Sequence, residues 1–202
     1  MEGEYDCATE GVQMVSKRLQ EIPASGTIAI SNLVSQMKSE GVDIVSFSMG
    51  EPDFDTPDNI VDACCRSLRD GFTHYTPSLG IPELRKAVAE ASRRETGIPC
   101  GPSNVLITPC KQAIFMVALA YIDPGDEVIL SDPSWVSYEA CIRLAGGVPV
   151  YVPTFFEDGF VIDPSRLEAA ITPRTKAIIL CSPSNPTGSV YTRDELSALA
   201  DV

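Results

Sequence analysis

From residue 105 onward the sequence alternates short apolar runs with longer segments whose apolar residues recur every three or four positions. This alternation limits the available folds more than any other feature. Residues 105–108, 127–130, 148–152 and 177–181 are rich in Val, Ile and Leu and read as strands. Residues 112–121, with apolar positions at 114, 117, 118 and 121, and residues 135–145, closed by Gly146-Gly147, read as helices. Asp163-Pro164 caps a further short helix, and Thr192 with Glu195 has the spacing of a capping box. Strands that alternate with helices imply a mostly parallel sheet with helices on its faces.

The first hundred residues have a different rhythm. Apolar groups at 12, 15, 19 and 22 predict a short amphipathic helix stopped by Pro23, and a second helix runs from Thr27 to Lys38. Residues 44–47 read as a short strand. Thr56 followed by Pro57 predicts an N-cap and first helical residue for a helix reaching Arg69. Another helix follows the string Gly80-Ile81-Pro82-Glu83-Leu84-Arg85.

Composition narrows the function classes. The chain has 202 residues, 44% hydrophobic and 21% charged, enough for a sizeable core. Its net charge of −13 and the absence of a basic stripe argue against nucleic acid. Its apolar runs are far too short for a membrane span, and the acidic residues 1–11 do not resemble a signal peptide. Seven cysteines, an odd number with no C-x-x-C spacing, argue against a disulfide framework and a zinc site. A reducing, cytoplasmic location is expected, with no bound metal.

The last apolar run feeds into Ser182-Pro183-Ser184-Asn185-Pro186-Thr187-Gly188. Two prolines and a glycine turn the backbone out of strand geometry at the strand's carboxyl end, where open α/β sheets bind ligands. This string resembles the asparagine motif of the fold-type I aminotransferases, which use pyridoxal phosphate (PLP). Four other strings are similar to segments of that family. They are G-E-P-D-F-D-T-P from Gly50, Y-T-P with G-I-P-E-L-R from Tyr75, the turn Thr108-Pro109-Cys110-Lys111-Gln112, and S-D-P-S-W-V-S-Y around Trp135.

The resemblance covers nearly the whole chain but only about the first half of such an enzyme. It implies the α/β fold of type I PLP-dependent transferases, with the sheet truncated before completion. Residues 1–47 would be the amino-terminal arm and the start of a small domain. Residues 48–202 would be an incomplete PLP-binding large domain.

The resemblance also implies roles. Asn185 would donate to the pyridoxal 3′-oxygen, and Trp135 would stack on the ring. Tyr75 would reach the cofactor phosphate of the neighbouring subunit in a homodimer, and Cys110 and Lys111 would meet the phosphate. Substrate contacts would come from Gly50 at the α-carboxylate, Lys111 and Thr27 at the distal acid, and Trp135 and Asn185. From the residues alone, Thr27 reads as an N-cap and Lys111 as a solvated helix-start lysine.

The turn departs from the family's glycine-containing version, since Pro109 directly before Cys110 has no N–H to donate. None of Lys17, Lys38, Lys86, Lys111 and Lys176 stands in the Ser- or Thr-containing context expected of a Schiff-base lysine. His74, the one histidine, lacks an accompanying nucleophile motif and reads as a surface or packing residue.

The expected function of the parent is therefore amino-group exchange between an amino acid and a 2-oxo acid, aspartate-like or broad, with this chain inactive alone. The alternatives are a ligand-sensing module, a catalytically dead paralogue, or a β-eliminating lyase on the same scaffold.

Overall fold

A computed structural model describes residues 16–20, 22, 26–47 and 50–202. It contains two compact units, Ser25–Cys110 and Lys111–Val202, the second grouped with Met1–Ala24.

The unit Lys111–Val202 is built on three parallel strands, β1 (Glu127–Asp132), β2 (Val148–Pro153) and β3 (Thr175–Ile179), in the order β2-β1-β3. Central β1 pairs Leu130 with Tyr151 on one side and with Ile179 on the other. Alternate residues of a strand face opposite sides, so the middle of β1, Val128, Ile129 and Leu130, is apolar at every position and fills two cores. Ile129 packs with Val152, Ile162, Leu167, Tyr191 and Leu199, beneath α7 (Pro164–Ala170) and α8 (Arg193–Ala200). Val128 and Leu130 pack with Tyr138, Ile142 and Ile114, beneath α5 (Cys110–Tyr121) and α6 (Val136–Ala145).

Local chemistry fixes the ends of these elements. The Asp163 carboxylate accepts from the N–H groups of Ser165 (2.9 Å) and Arg166 (3.1 Å), capping α7. At α8, Thr192 Oγ1 accepts from Glu195 N at 3.3 Å while Glu195 accepts from Thr192 N at 2.7 Å, the reciprocal capping box. At the amino end of β1, buried Glu127 accepts from Arg174 Nε at 2.9 Å and from the Thr172 hydroxyl, bolting β1 to the chain that enters β3. The Thr172 bond first, and Arg174 next, hold its carboxyl below the usual glutamate range.

The unit Ser25–Cys110 carries α2 (Gly26–Ser39), α3 (Asp58–Arg69), α4 (Pro82–Thr96) and a 3₁₀ turn, Pro102–Asn104. Arg85 of α4 holds the segment after that turn, donating from Nε to Val105 O (2.9 Å) and from Nη2 to Pro102 O (2.6 Å). Ile107 N donates to Leu79 O at 3.0 Å. Every residue of α3 is exposed within this chain, including Ile60, Val61 and Leu68.

Several expectations need correction. Residues 44–47 and 105–108 are not in strands, because neither run has a ladder partner among the described residues, and apolar sequence alone does not make a strand. Pro57, not Thr56, is the N-cap residue of α3, without a side-chain cap, and the helix begins at Asp58. β3 spans Thr175–Ile179 rather than 177–181, so the chain leaves the sheet two residues earlier. Of the expected helix over 12–22, Lys17–Gln20 is helical as α1, and residues 12–15 and 21 lie outside the described residues. Among six described cysteines only Cys141 is buried.

Candidate functional site

The carboxyl ends of β1 and β3 release two loops side by side, and α5 starts at the same edge of the sheet. The loop after β1 runs from Asp132 through Pro133 and Ser134 to Trp135, the residue preceding α6. Asp132 O anchors it by accepting from Thr154 N and Thr154 Oγ1, both at 2.9 Å. The half-buried Trp135 ring stands edge-on to Tyr138 at 5.5 Å and 85°. The other side of this contact network is a cation. Lys111 Nζ, in the first turn of α5, lies 5.1 Å from the Trp135 ring centroid. Such a contact at an exposed site stabilises by about 0.5–1 kcal/mol.

The first turn of α5 presents three backbone donors, the N–H groups of Cys110, Lys111 and Gln112, which have no carbonyl one turn behind them. The helix dipole adds positive potential there. Pro109 contributes no donor. Cys110 is exposed. Inside the unit Lys111–Val202, burial pushes the Cys141 thiol up, opposed by the charge of Lys111.

After β3 the chain folds into a closed turn. Ser184 N donates to Ser189 O and Gly188 N to Ser184 O, both at 2.8 Å, and Tyr191 N donates to Ser182 Oγ at 3.1 Å. Gly188 has φ of +73°, the left-handed conformation that glycine adopts without a Cβ penalty. Asn185 sits at the exposed crest between two prolines, and among the described residues its side-chain amide has no hydrogen-bond partner. A rigid turn thus presents an uncommitted amide.

Lys111, Trp135 and Asn185 therefore share one edge of one unit. Thr27, Gly50, Tyr75 and Cys110 belong to the unit Ser25–Cys110. Tyr75 is fully exposed. A Cβ built on Gly50 meets no atom within 4 Å, and Gly50 is not among the glycines with positive φ. Among the described residues, none packs where a Cβ on residue 50 would stand. Thr27 lies in the first turn of α2, and its side chain is outside the described residues.

Sequence reasoning missed two features. One is the Lys111–Trp135 contact, which joins residues 24 positions apart and has no local signature. The other is a cleft of about 270 Å³ bounded by Asp132, Trp135, Glu139 and Tyr151. Glu139 accepts from Arg143 Nε at 2.8 Å, one turn along α6, and the neighbouring Tyr151 phenol, then Arg143, hold its carboxyl below the usual glutamate range. Burial first, then the Glu139 bond, push Tyr151 up to about 12. The i,i+4 spacing of Glu139 and Arg143 is the one signal that was available.

The carboxyl edge of the parallel sheet thus carries an aromatic side chain, a helix N-terminus and an exposed amide. The chain belongs to the aminotransferase class I and II family, whose model matches residues 42–202. Members of this family use PLP. The chain is 50% identical over 189 residues to a probable aspartate/prephenate aminotransferase of Thermus aquaticus, covering 93% of this chain and 49% of that protein. It is 44% identical to the aspartate aminotransferase of Bacillus subtilis, covering 93% and 48%. Among solved structures, the Thermus thermophilus aspartate aminotransferase with maleate superposes with a TM-score of 0.90 at 48% identity, covering 94% of this chain and 50% of that one. The Pyrococcus furiosus alanine aminotransferase gives 0.87 at 30% identity, covering 93% and 48%. The fold is that of the type I PLP-dependent aminotransferases, and the three-stranded sheet is a part of it. The chain spans about half the length of these relatives.

Proposed function

We propose that the full-length protein bearing this sequence is a PLP-dependent aminotransferase that moves an amino group between an acidic amino acid and a 2-oxo acid. The observation that carries this reading is the convergence of Trp135, the first turn of α5 and the Asn185 turn at the carboxyl edge of the sheet. When bound there, PLP supplies an electron sink for the substrate's Cα.

The chain's own residues do the rest. Trp135 offers a flat face for ring stacking, and Asn185 donates its free amide N–H to the 3′-oxygen. The N–H groups of Cys110 and Lys111, with the helix dipole, hold the phosphate despite Pro109. Tyr75, unshielded by its own chain, serves the phosphate of the neighbouring subunit of a homodimer. Gly50 admits the substrate α-carboxylate, and the missing packing reason for glycine there supports a ligand reason. Lys111 and Thr27 read the distal acid.

Residues 48–202 form the first part of the cofactor-binding domain, and residues 1–47 the arm and the start of the small domain. The lysine that bonds the cofactor lies outside these 202 residues, so the chain alone is inactive. The protein works in the cytoplasm on small amino and 2-oxo acids. No helix among the described residues is long and apolar enough to cross a membrane.

The test is product analysis with the full-length protein, PLP, aspartate and a 2-oxo acid acceptor. The proposal requires both a new amino acid and a new 2-oxo acid. Pyruvate with ammonia would make it a lyase, and cofactor binding without product would favour a sensing or inactive protein.

A further inference from the structure

We infer that Lys111 rests on one face of the Trp135 ring when no acid occupies the distal subsite, and leaves that face when a dicarboxylate binds. This rests on the proposed reading of Lys111 as the residue that recognises the distal acid. It adds a resting position that gives the subsite two states.

Among the described residues no carboxylate stands within 4.0 Å of Lys111 Nζ, although the loop and helix beside it carry Asp132 and Glu139. Glu139 is paired with Arg143. The ammonium lies instead 5.1 Å from the indole centroid. The ring itself is held by packing against the cluster of Val128, Leu130, Tyr138 and Ile142, so the ammonium is the mobile partner of this contact.

The electrostatics make this position easy to vacate. The ring quadrupole attracts a cation more weakly than a carboxylate does through a charge-assisted hydrogen bond. Lysine's flexible four-carbon stem allows the ammonium to change partner without moving α5. A substrate with an apolar side chain then finds Lys111 already satisfied on the ring and need not bury an unpaired charge. A substrate with a second carboxylate draws the ammonium off. One lysine accordingly accepts acidic substrates without excluding apolar ones.

Trp135 reports the change. In cofactor-loaded, full-length protein labelled with 5-fluorotryptophan, the resonance of residue 135 is assigned by its loss in Trp135→Phe. The inference predicts that Lys111→Met shifts this resonance in the absence of ligand, because the cation has left the ring. Maleate should move the wild-type resonance, and acetate should leave it in place. An unshifted resonance in Lys111→Met would overturn the inference, as would a wild-type resonance indifferent to maleate or equally moved by acetate. Lys111 is exposed, so its replacement leaves the fold intact, which far-UV circular dichroism checks. Transamination assayed on the same sample separates the two claims. Resonances that behave as predicted without turnover would refute the aminotransferase reading alone, and turnover with a silent resonance would refute the resting lysine alone.

Discussion

Gly80 faces Ile107 so closely that a Cβ on residue 80 would lie 2.5 Å from Ile107 Cγ1 and 2.7 Å from its Cβ. The backbone there has φ of +100°, a conformation that side chains disfavour. The neighbouring bond from Ile107 N to Leu79 O holds the two segments together, so neither can retreat without losing it. Gly80→Ala should destabilise the unit by on the order of 2 kcal/mol, combining overpacking with the left-handed backbone cost. Adding Ile107→Ala should relieve the steric part and leave the backbone part. Chemical denaturation of the single and double variants measures both.

The central strand predicts a second result. Ile129 and Leu130 are adjacent, nearly inaccessible to water, and fill opposite cores. Truncating either to alanine should cost about 2–5 kcal/mol, since each leaves a cavity that a two-faced sheet cannot close. Val148, an exposed residue at the start of β2, should tolerate alanine with a change below about 1 kcal/mol. Denaturation midpoints of the three variants provide the comparison.

The pattern that identified β1 was legible because a strand buried on both faces is apolar without interruption, and 127–130 is such a run once Glu127 is set aside. Glu127 itself was unreadable. A buried acid in a strand makes sense only beside Thr172 and Arg174, more than forty residues away. The runs at 44–47 and 105–108 carry the same local signal as the strands of the described sheet and are not in strands, because strand pairing is not encoded locally. At the proposed site, Asn185 and Trp135 could be singled out because the strings around them resemble family segments, and both sit on local features, a proline-bracketed turn and a loop-to-helix junction. The arrival of Lys111 at Trp135 depends on how α5 packs over β1, and that is a tertiary fact.

Acid should weaken the fold for a definite reason. Hydrogen bonds, from Thr172 to Glu127 above all, hold the Glu127 carboxyl below its usual range. Between the two values the unfolded chain binds the proton and the folded chain does not, so stability rises with pH. That contribution is full above the ordinary carboxylate pKa of about 4 and is lost as the pH falls through the depressed folded value. Asp163 and Glu195, held low by their capping bonds, act in the same direction. Stability measured against pH should fall on the acid side, and Glu127→Gln should flatten part of that slope while lowering stability at neutral pH.

The capping box gives a smaller prediction. Thr192→Ala removes the acceptor for Glu195 N and the partner of the Glu195 carboxylate, and should cost about 1 kcal/mol. Thr192→Ser keeps the hydroxyl and should recover most of that loss. Thermal unfolding of the two variants distinguishes a cap from a packing effect of the threonine methyl.

The central claim is amino-group exchange at the Trp135–Asn185 edge, and following the nitrogen tests it most directly. Full-length protein is loaded with PLP and given ¹⁵N-aspartate and an unlabelled 2-oxo acid. The account predicts that the label appears in the amino acid made from that acceptor, and that Asn185→Ala slows the transfer. Label released as ammonia, or left in aspartate while PLP is bound, would contradict it.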